Sequence, residues 1–245
     1  MRPIFLLTLR ALGRGRRLLA VGALLAVPAL LAVAYSASQG SGRGDGARFA
    51  VDLFGQLALP ILLPLTALIF ATSALGGEVE DRTLIYLTLR PVSRLAIVVS
   101  KLCAVALLTL ALVEVSLAVT YLIAARGVGD GRALGAILLG GAAGALAYAS
   151  LFLLVGLLAP RRALIVGFLY VLVWEGVAAG VSTALATLSV RRYVQGALHA
   201  GLGSSPLASA QPSSVSGATS LVVLALIVLG SLALTTVRLH RLELP

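Results

Sequence analysis

Long apolar runs separated by short breaks bearing glycine, proline and arginine set the pattern of this chain. Six runs, about 18–37, 51–75, 95–125, 133–158, 163–187 and 218–237, each supply the roughly 20 apolar residues a helix needs to cross a hydrocarbon core of about 30 Å. Lipid offers no partner to an open backbone, so a spanning segment is a helix or part of a closed barrel. A barrel would alternate apolar and polar residues over about ten positions, and no such alternation is present. The expected fold is an all-α integral membrane protein with six transmembrane helices, a single domain over residues 1–245.

Ahead of the first run, PIFLLTLRALGRGRR (3–17) is too short to cross and sets arginines on an apolar helix. That pattern predicts an N-terminal interfacial helix over 1–17. A secretory leader competes, with 18–34 as its apolar core and Ala32-Val33-Ala34 as a cleavage site. A leader carries its basic residues first, whereas here an apolar run precedes them. In the second run, LPILLPLT places Pro60 and Pro64 one turn apart, which removes backbone donors and predicts a bend. Gly140 with Gly144, and Gly176 with Gly180, form small-residue ridges that let helices approach closely. Of the connections, 38–50 is short and rich in Gly and Ser. The long connection 188–217 predicts an external loop with a short helix near Val190 to His199.

One stretch breaks the apolar pattern with charge: GGEVEDRTLIYLTLRPVSRLAIVVSK, residues 76–101. Glu78, Glu80 and Asp81 precede an apolar-rich run holding Arg82, Thr83, Leu84, Tyr86, Leu87 and Arg90, and Pro91 closes it. Carboxylates at a helix start offset its positive dipole end, Asp81 or Thr83 can cap it, and the residue before a proline tends to leave the helical region. The pattern predicts a helix of two to three turns. Ile85, Leu87 and Leu89 also alternate as a strand would, but a lone strand would lack a pairing partner. After Ser93 the chain re-enters the membrane, with Arg94 and Lys101 expected to snorkel toward the headgroups.

Composition sharpens this picture. The chain is 60% hydrophobic and 11% charged, with a mean hydropathy of +1.06, too little polar surface to coat a soluble globule. Its net charge of +10 comes from arginines scattered between apolar runs, which fits a membrane surface better than a nucleic-acid groove. The arginine excess over the single lysine points to a GC-rich, bacterial genome. Basic residues resist translocation, so counting them fixes the orientation. With the N-terminus cytoplasmic, thirteen of the 19 fall inside and six (Arg43, Arg48, Arg126, Arg132, Arg191 and Arg192) fall outside. Both termini and the charged stretch are therefore expected in the cytoplasm of a cell-membrane, multi-pass protein.

Candidate chemistry is sparse. Cys103 is the one cysteine, and His199 and His240 lie far apart, so neither a disulfide nor a metal cluster is expected. Glu114 and Glu175 fall deep in the third and fifth runs, where a charge costs roughly 2.5–3.5 kcal/mol. They are either groups that lock helices together or part of a substrate or ion path. Arg43-Gly44-Asp45 in a Gly-rich loop reads as chance. Asp45-Gly46-Ala47-Arg48 starts like a phosphatidyl-alcohol transferase motif but lacks the later metal-binding aspartates. No GxxxxGK[ST] loop is present, so no ATP-binding or catalytic residue is expected on this chain.

A bent span, then EVEDRTLIYLTLRPVSR (78–94), then IVVSKL entering the next span, resembles the permease subunits of ABC-2 type transporters. The matching positions are Glu78, Glu80, Thr83, Leu84, Leu87, Pro91, Ser93, Arg94 and Lys101. LYVLVWEG (169–176) and LSVRRYV (188–194) add to the likeness, while Arg82 and Ser100 stand where that family often has glycine. The resemblance implies an exporter in which 78–94 is a coupling helix seated on a cytoplasmic ABC ATPase. It also implies two ATPase copies, with ATP and Mg held there and no cofactor here, and a second permease subunit, as a homodimer. A secondary carrier or membrane scaffold, and less so a lipid-modifying enzyme, are the alternatives. Transport by the isolated chain or activity of its own would favour these.

Overall fold

The computed structural model describes residues 2–13, 16–38, 46–76, 93–126, 130–178, 183–210, 213 and 215–241. Every regular element among them is helical. The chain opens with α1 (Arg2–Leu12) and α2 (Arg16–Ser38). Next comes α3 (Gly46–Gly76), one continuous helix whose turns widen to π geometry over Phe54–Leu62 and again over Thr72–Gly76. Then follow α4 (Arg94–Ala125), α5 (Gly131–Leu158) and α6 (Ala163–Leu169), the last continuing as π turns over Tyr170–Ala178. The short α7 (Thr183–Ala186), α8 (Val190–Leu202) and α9 (Gly217–Arg241) complete the described chain. Five helices, α2, α3, α4, α5 and α9, are long and apolar enough to cross a membrane.

Helix ends follow local chemistry. Ser93 caps α4, its Oγ accepting from Ala96 N at 3.4 Å, and Asp130 caps α5 through Arg132 N at 2.9 Å. In α2, Pro28 has no N–H to close its turn, and the Leu25 carbonyl in that region accepts Ser116 Oγ of α4 at 2.6 Å. The first widened stretch of α3, Phe54–Leu62, contains Pro60, and Pro64 sits at the start of the α-helical turns that follow. The proline pair, from which a bend is expected, thus lies where the helical register changes.

Helix α5 is the hub, packed against α3, α4, α6, α8 and α9. Its small residues make this possible. A methyl group at Gly140 would lie 3.2 Å from the Phe54 ring, and one at Gly144 would lie 3.0 Å from Leu63 Cδ1. The Gly140–Gly144 ridge therefore seats α3 and α8, as a small-residue ridge should. In contrast, 22% of the apolar window of α2 and of α9 is buried within the chain, against 67% for α3. Those two outer helices present Leu30, Leu31, Leu226 and Leu229 outward, as a lipid-facing surface does.

Within the run 163–187, helical structure is described over Ala163–Ala178 and again over Thr183–Ala186. One expectation changes. The helix expected near Val190–His199 forms over Val190–Leu202, but it is packed into the bundle rather than set in an external loop. Leu198 lies at Gly140, Val194 at Gly144, and Ala136 at Gly201, so α8 runs antiparallel to α5 from the middle of that helix to its N-terminal end. The reason is its apolar stripe of Val190, Val194, Ala197, Leu198 and Leu202, all buried.

Candidate functional site

The C-terminal end of α3, the start of α4, the C-terminal ends of α5 and α9, and α1 gather at one end of the bundle. Of the residues expected to couple, Glu78, Glu80, Asp81, Arg82, Thr83, Leu84, Tyr86, Leu87, Arg90 and Pro91 lie outside the described residues. Ser93, Arg94 and Lys101 lie within them. Lys101 does not snorkel: it is fully buried, and its Nζ donates to the Ala74 carbonyl at 2.6 Å. The last carbonyls of a helix have no intrahelical donor and carry its negative dipole end, which makes the end of α3 a seat for an ammonium. Arg94, half-buried, likewise turns inward and donates to the Leu239 carbonyl of α9. Below them α3 and α5 cross backbone to backbone: a methyl group at Gly76 would lie 3.0 Å from the Gly156 carbonyl oxygen.

Nearer the other end, Glu175 is fully buried and accepts four hydrogen bonds. Oε1 takes Tyr170 Oη at 2.8 Å and Val190 N at 3.1 Å; Oε2 takes Ser189 Oγ at 2.5 Å and Arg191 N at 3.2 Å. The carboxylate thus sits on the N-terminus of α8, where free N–H groups and the positive dipole end favour it. The Arg191 side chain reaches the Gly55 carbonyl of α3 at 3.2 Å. In a π turn that carbonyl's donor would be the N–H of residue 60, which is a proline. The inward packing of α8 thus brings a basic residue, Arg191, to the depth of Glu175. Glu114 of α4 is half-buried against α5: its Oε1 would lie 2.6 Å from a methyl group at Gly141, and it has no hydrogen-bond partner among the described residues.

The family described as ABC-2 family transporter protein matches residues 15–188, most of the chain and all of its charged stretch. The chain belongs to the ABC-2 transporter family. It is therefore a membrane permease of an ABC transporter, a family normally paired with an ATPase subunit. No curated protein matches the permease sequence.

Some of the residues that organise this ABC-2 permease were missed from the sequence. Tyr170, Ser189 and Arg191 had a signal, because a carboxylate in an apolar run demands donors, and all three stand within 16 residues of Glu175. The Gly76–Gly156 crossing had none, because among 26 glycines nothing local marks two that meet across 80 positions.

Proposed function

We propose that this permease is half of the membrane part of an ATP-driven exporter and is worked by a separate cytoplasmic ABC ATPase that binds ATP and Mg. Residues 78–94 form the coupling segment, docking through Leu84, Tyr86 and Leu87 ringed by Glu78, Glu80, Asp81, Arg82 and Arg90. Two ATPase copies serve two permease subunits, arranged as a homodimer. Both termini face the cytoplasm of a bacterial cell membrane, in line with the bias of basic residues. The chain crosses six times, and its fifth crossing is broken: Ala163–Ala178 forms its inner part and Val190–Leu202 its outer part, joined at Glu175. Broken helices are tolerated at membrane depth where other groups satisfy the freed backbone, and Glu175 does so here.

The observation that carries the coupling proposal is the fully buried Lys101–Ala74 hydrogen bond. It ties the two helices that flank the coupling segment, while Arg94 ties α4 to α9. A push on the segment cannot then move α4 alone; it carries α3 and α9 with it. The test combines two kinds of variant. Glu80→Lys and Leu84→Asp should abolish ATPase co-purification with insertion intact. Lys101→Met should keep the ATPase bound yet uncouple ATP hydrolysis from transport. Normal transport by all three, or labelling that places 78–94 outside the cell, would refute the proposal.

A further inference from the structure

At the coupling end, α5 and α9 finish side by side, and Leu154, Leu158, Leu234, Val237, Arg238 and Arg241 line an open groove of about 300 Å³ between them. Its walls are apolar, and its lips are exposed: Leu158 by 54%, Leu234 by 58% and Val237 by 50%. Arg238 and Arg241, three residues apart and so on one face of α9, stand exposed at its end. The exposed Arg161 and Arg162 stand three and four residues past the end of α5. Among the described residues no carboxylate pairs with any of these four.

In a bilayer, an apolar groove open to the side is filled by an acyl chain, and unpaired arginines at a helix end stand at headgroup level. A guanidinium fork matches the oxygens of a phosphate in two-point contact, and basic pockets between spanning helices hold acidic headgroups. We infer that this groove is a binding site for an anionic phospholipid. Part of one acyl chain lies along Leu154, Leu158 and Leu234, and the headgroup phosphate rests on Arg238 and Arg241. The volume is at the small end of ligand sites, which suits a molecule that keeps most of itself in the bilayer. Leu239, whose carbonyl accepts Arg94, lies between the two arginines. A lipid bridging α5 and α9 therefore braces the turn on which α4 begins. The inference rests on the chain being in a bilayer and is independent of the ATPase reading.

The test uses the full chain in nanodiscs of phosphatidylcholine with and without phosphatidylglycerol, reading retained lipid by native mass spectrometry. Phosphatidylglycerol should be held in preference by roughly tenfold, since each arginine at an anionic surface contributes several-fold. Arg238→Gln with Arg241→Gln should remove the preference, and each single change should reduce it, which keeps the test open if the double variant folds poorly. Leu234→Trp, which fills the groove but leaves both arginines, should also remove it. Arg132→Gln, at the opposite end of α5, should not. Retention of the preference by the double variant or by Leu234→Trp overturns the inference. So does displacement of the lipid by inorganic phosphate, or loss of ATPase binding in the double variant with lipid preference unchanged.

Discussion

Replacing Glu175 by alanine removes the acceptor of four buried hydrogen bonds at once. Hydrogen bonds between helices in a bilayer average about 0.6 kcal/mol, which sets a floor of roughly 2 kcal/mol for the set. Two of the donors are backbone N–H groups opening α8, and each costs about 1–3 kcal/mol when left buried without an acceptor. The expected loss for Glu175→Ala is therefore about 3–5 kcal/mol, the range found on removing one partner from a buried polar pair. Glu175→Gln keeps one acceptor oxygen but turns an NH₂ toward the remaining donors, and should lose about half as much. Tyr170→Phe removes one donor and should cost about 1 kcal/mol. The chain's one tryptophan, Trp174, is the neighbour of Glu175, so its fluorescence during reversible unfolding in mixed micelles reads this region directly. The order Ala, Gln, then Tyr170→Phe is the signature. If Glu175→Ala falls within about 0.5 kcal/mol of the parent, as an inconsequential surface change would, the carboxylate does not hold α8 in place.

Other outcomes follow from packing. Gly46→Ala would put a methyl carbon 1.9 Å from the Ala124 carbonyl oxygen, so it should cost about 1–3 kcal/mol in the same unfolding assay. A methyl group at Gly230 meets nothing within 4 Å, and Gly230→Ala should leave stability unchanged. Cys103 is exposed on α4 nine residues into the helix, about 14 Å from its start, so it should react with a lipid-soluble maleimide and resist a charged one. Rapid labelling by the charged reagent would place that face in water.

The helices were legible because lipid leaves the backbone one local solution, and the apolar runs measure it. Helix α4 begins at Arg94 and ends at Ala125 against an expected 95–125, and Ser93 gives the reason for its start. What the sequence hid were long-range exchanges of partners. Lys101 reads as a snorkelling lysine because its surroundings in sequence are apolar, yet the carbonyl that draws it inward is 27 residues away. The Val190–Leu202 stretch reads as external because it carries Arg191 and Arg192. Only the placement of Glu175 against its first turn shows why it can enter the bundle. A run length reports burial in lipid, and it is silent on which buried polar group answers which.

Helix α3 is held at both of its widened regions by cations from its neighbours: Arg191 of α8 at Gly55, and Lys101 of α4 at Ala74. The two carbonyls are 19 residues apart, about 28 Å along the helix, so α3 is a continuous rod joining the Lys101 end of the bundle to the Glu175 cluster. If Pro60 is what leaves the Gly55 carbonyl open, restoring an N–H at residue 60 should make Arg191 redundant there. A double-mutant cycle separates this from general packing. Arg191→Gln should destabilise the parent by about 1 kcal/mol, the net value of one hydrogen bond. In a Pro60→Ala background the same change should cost nearly nothing, giving a coupling of about 1 kcal/mol. Trp174 fluorescence in mixed micelles supplies all four free energies. Additive costs would mean that Arg191 acts through some other contact, and the rod would then be joined to the Glu175 cluster by apolar packing alone.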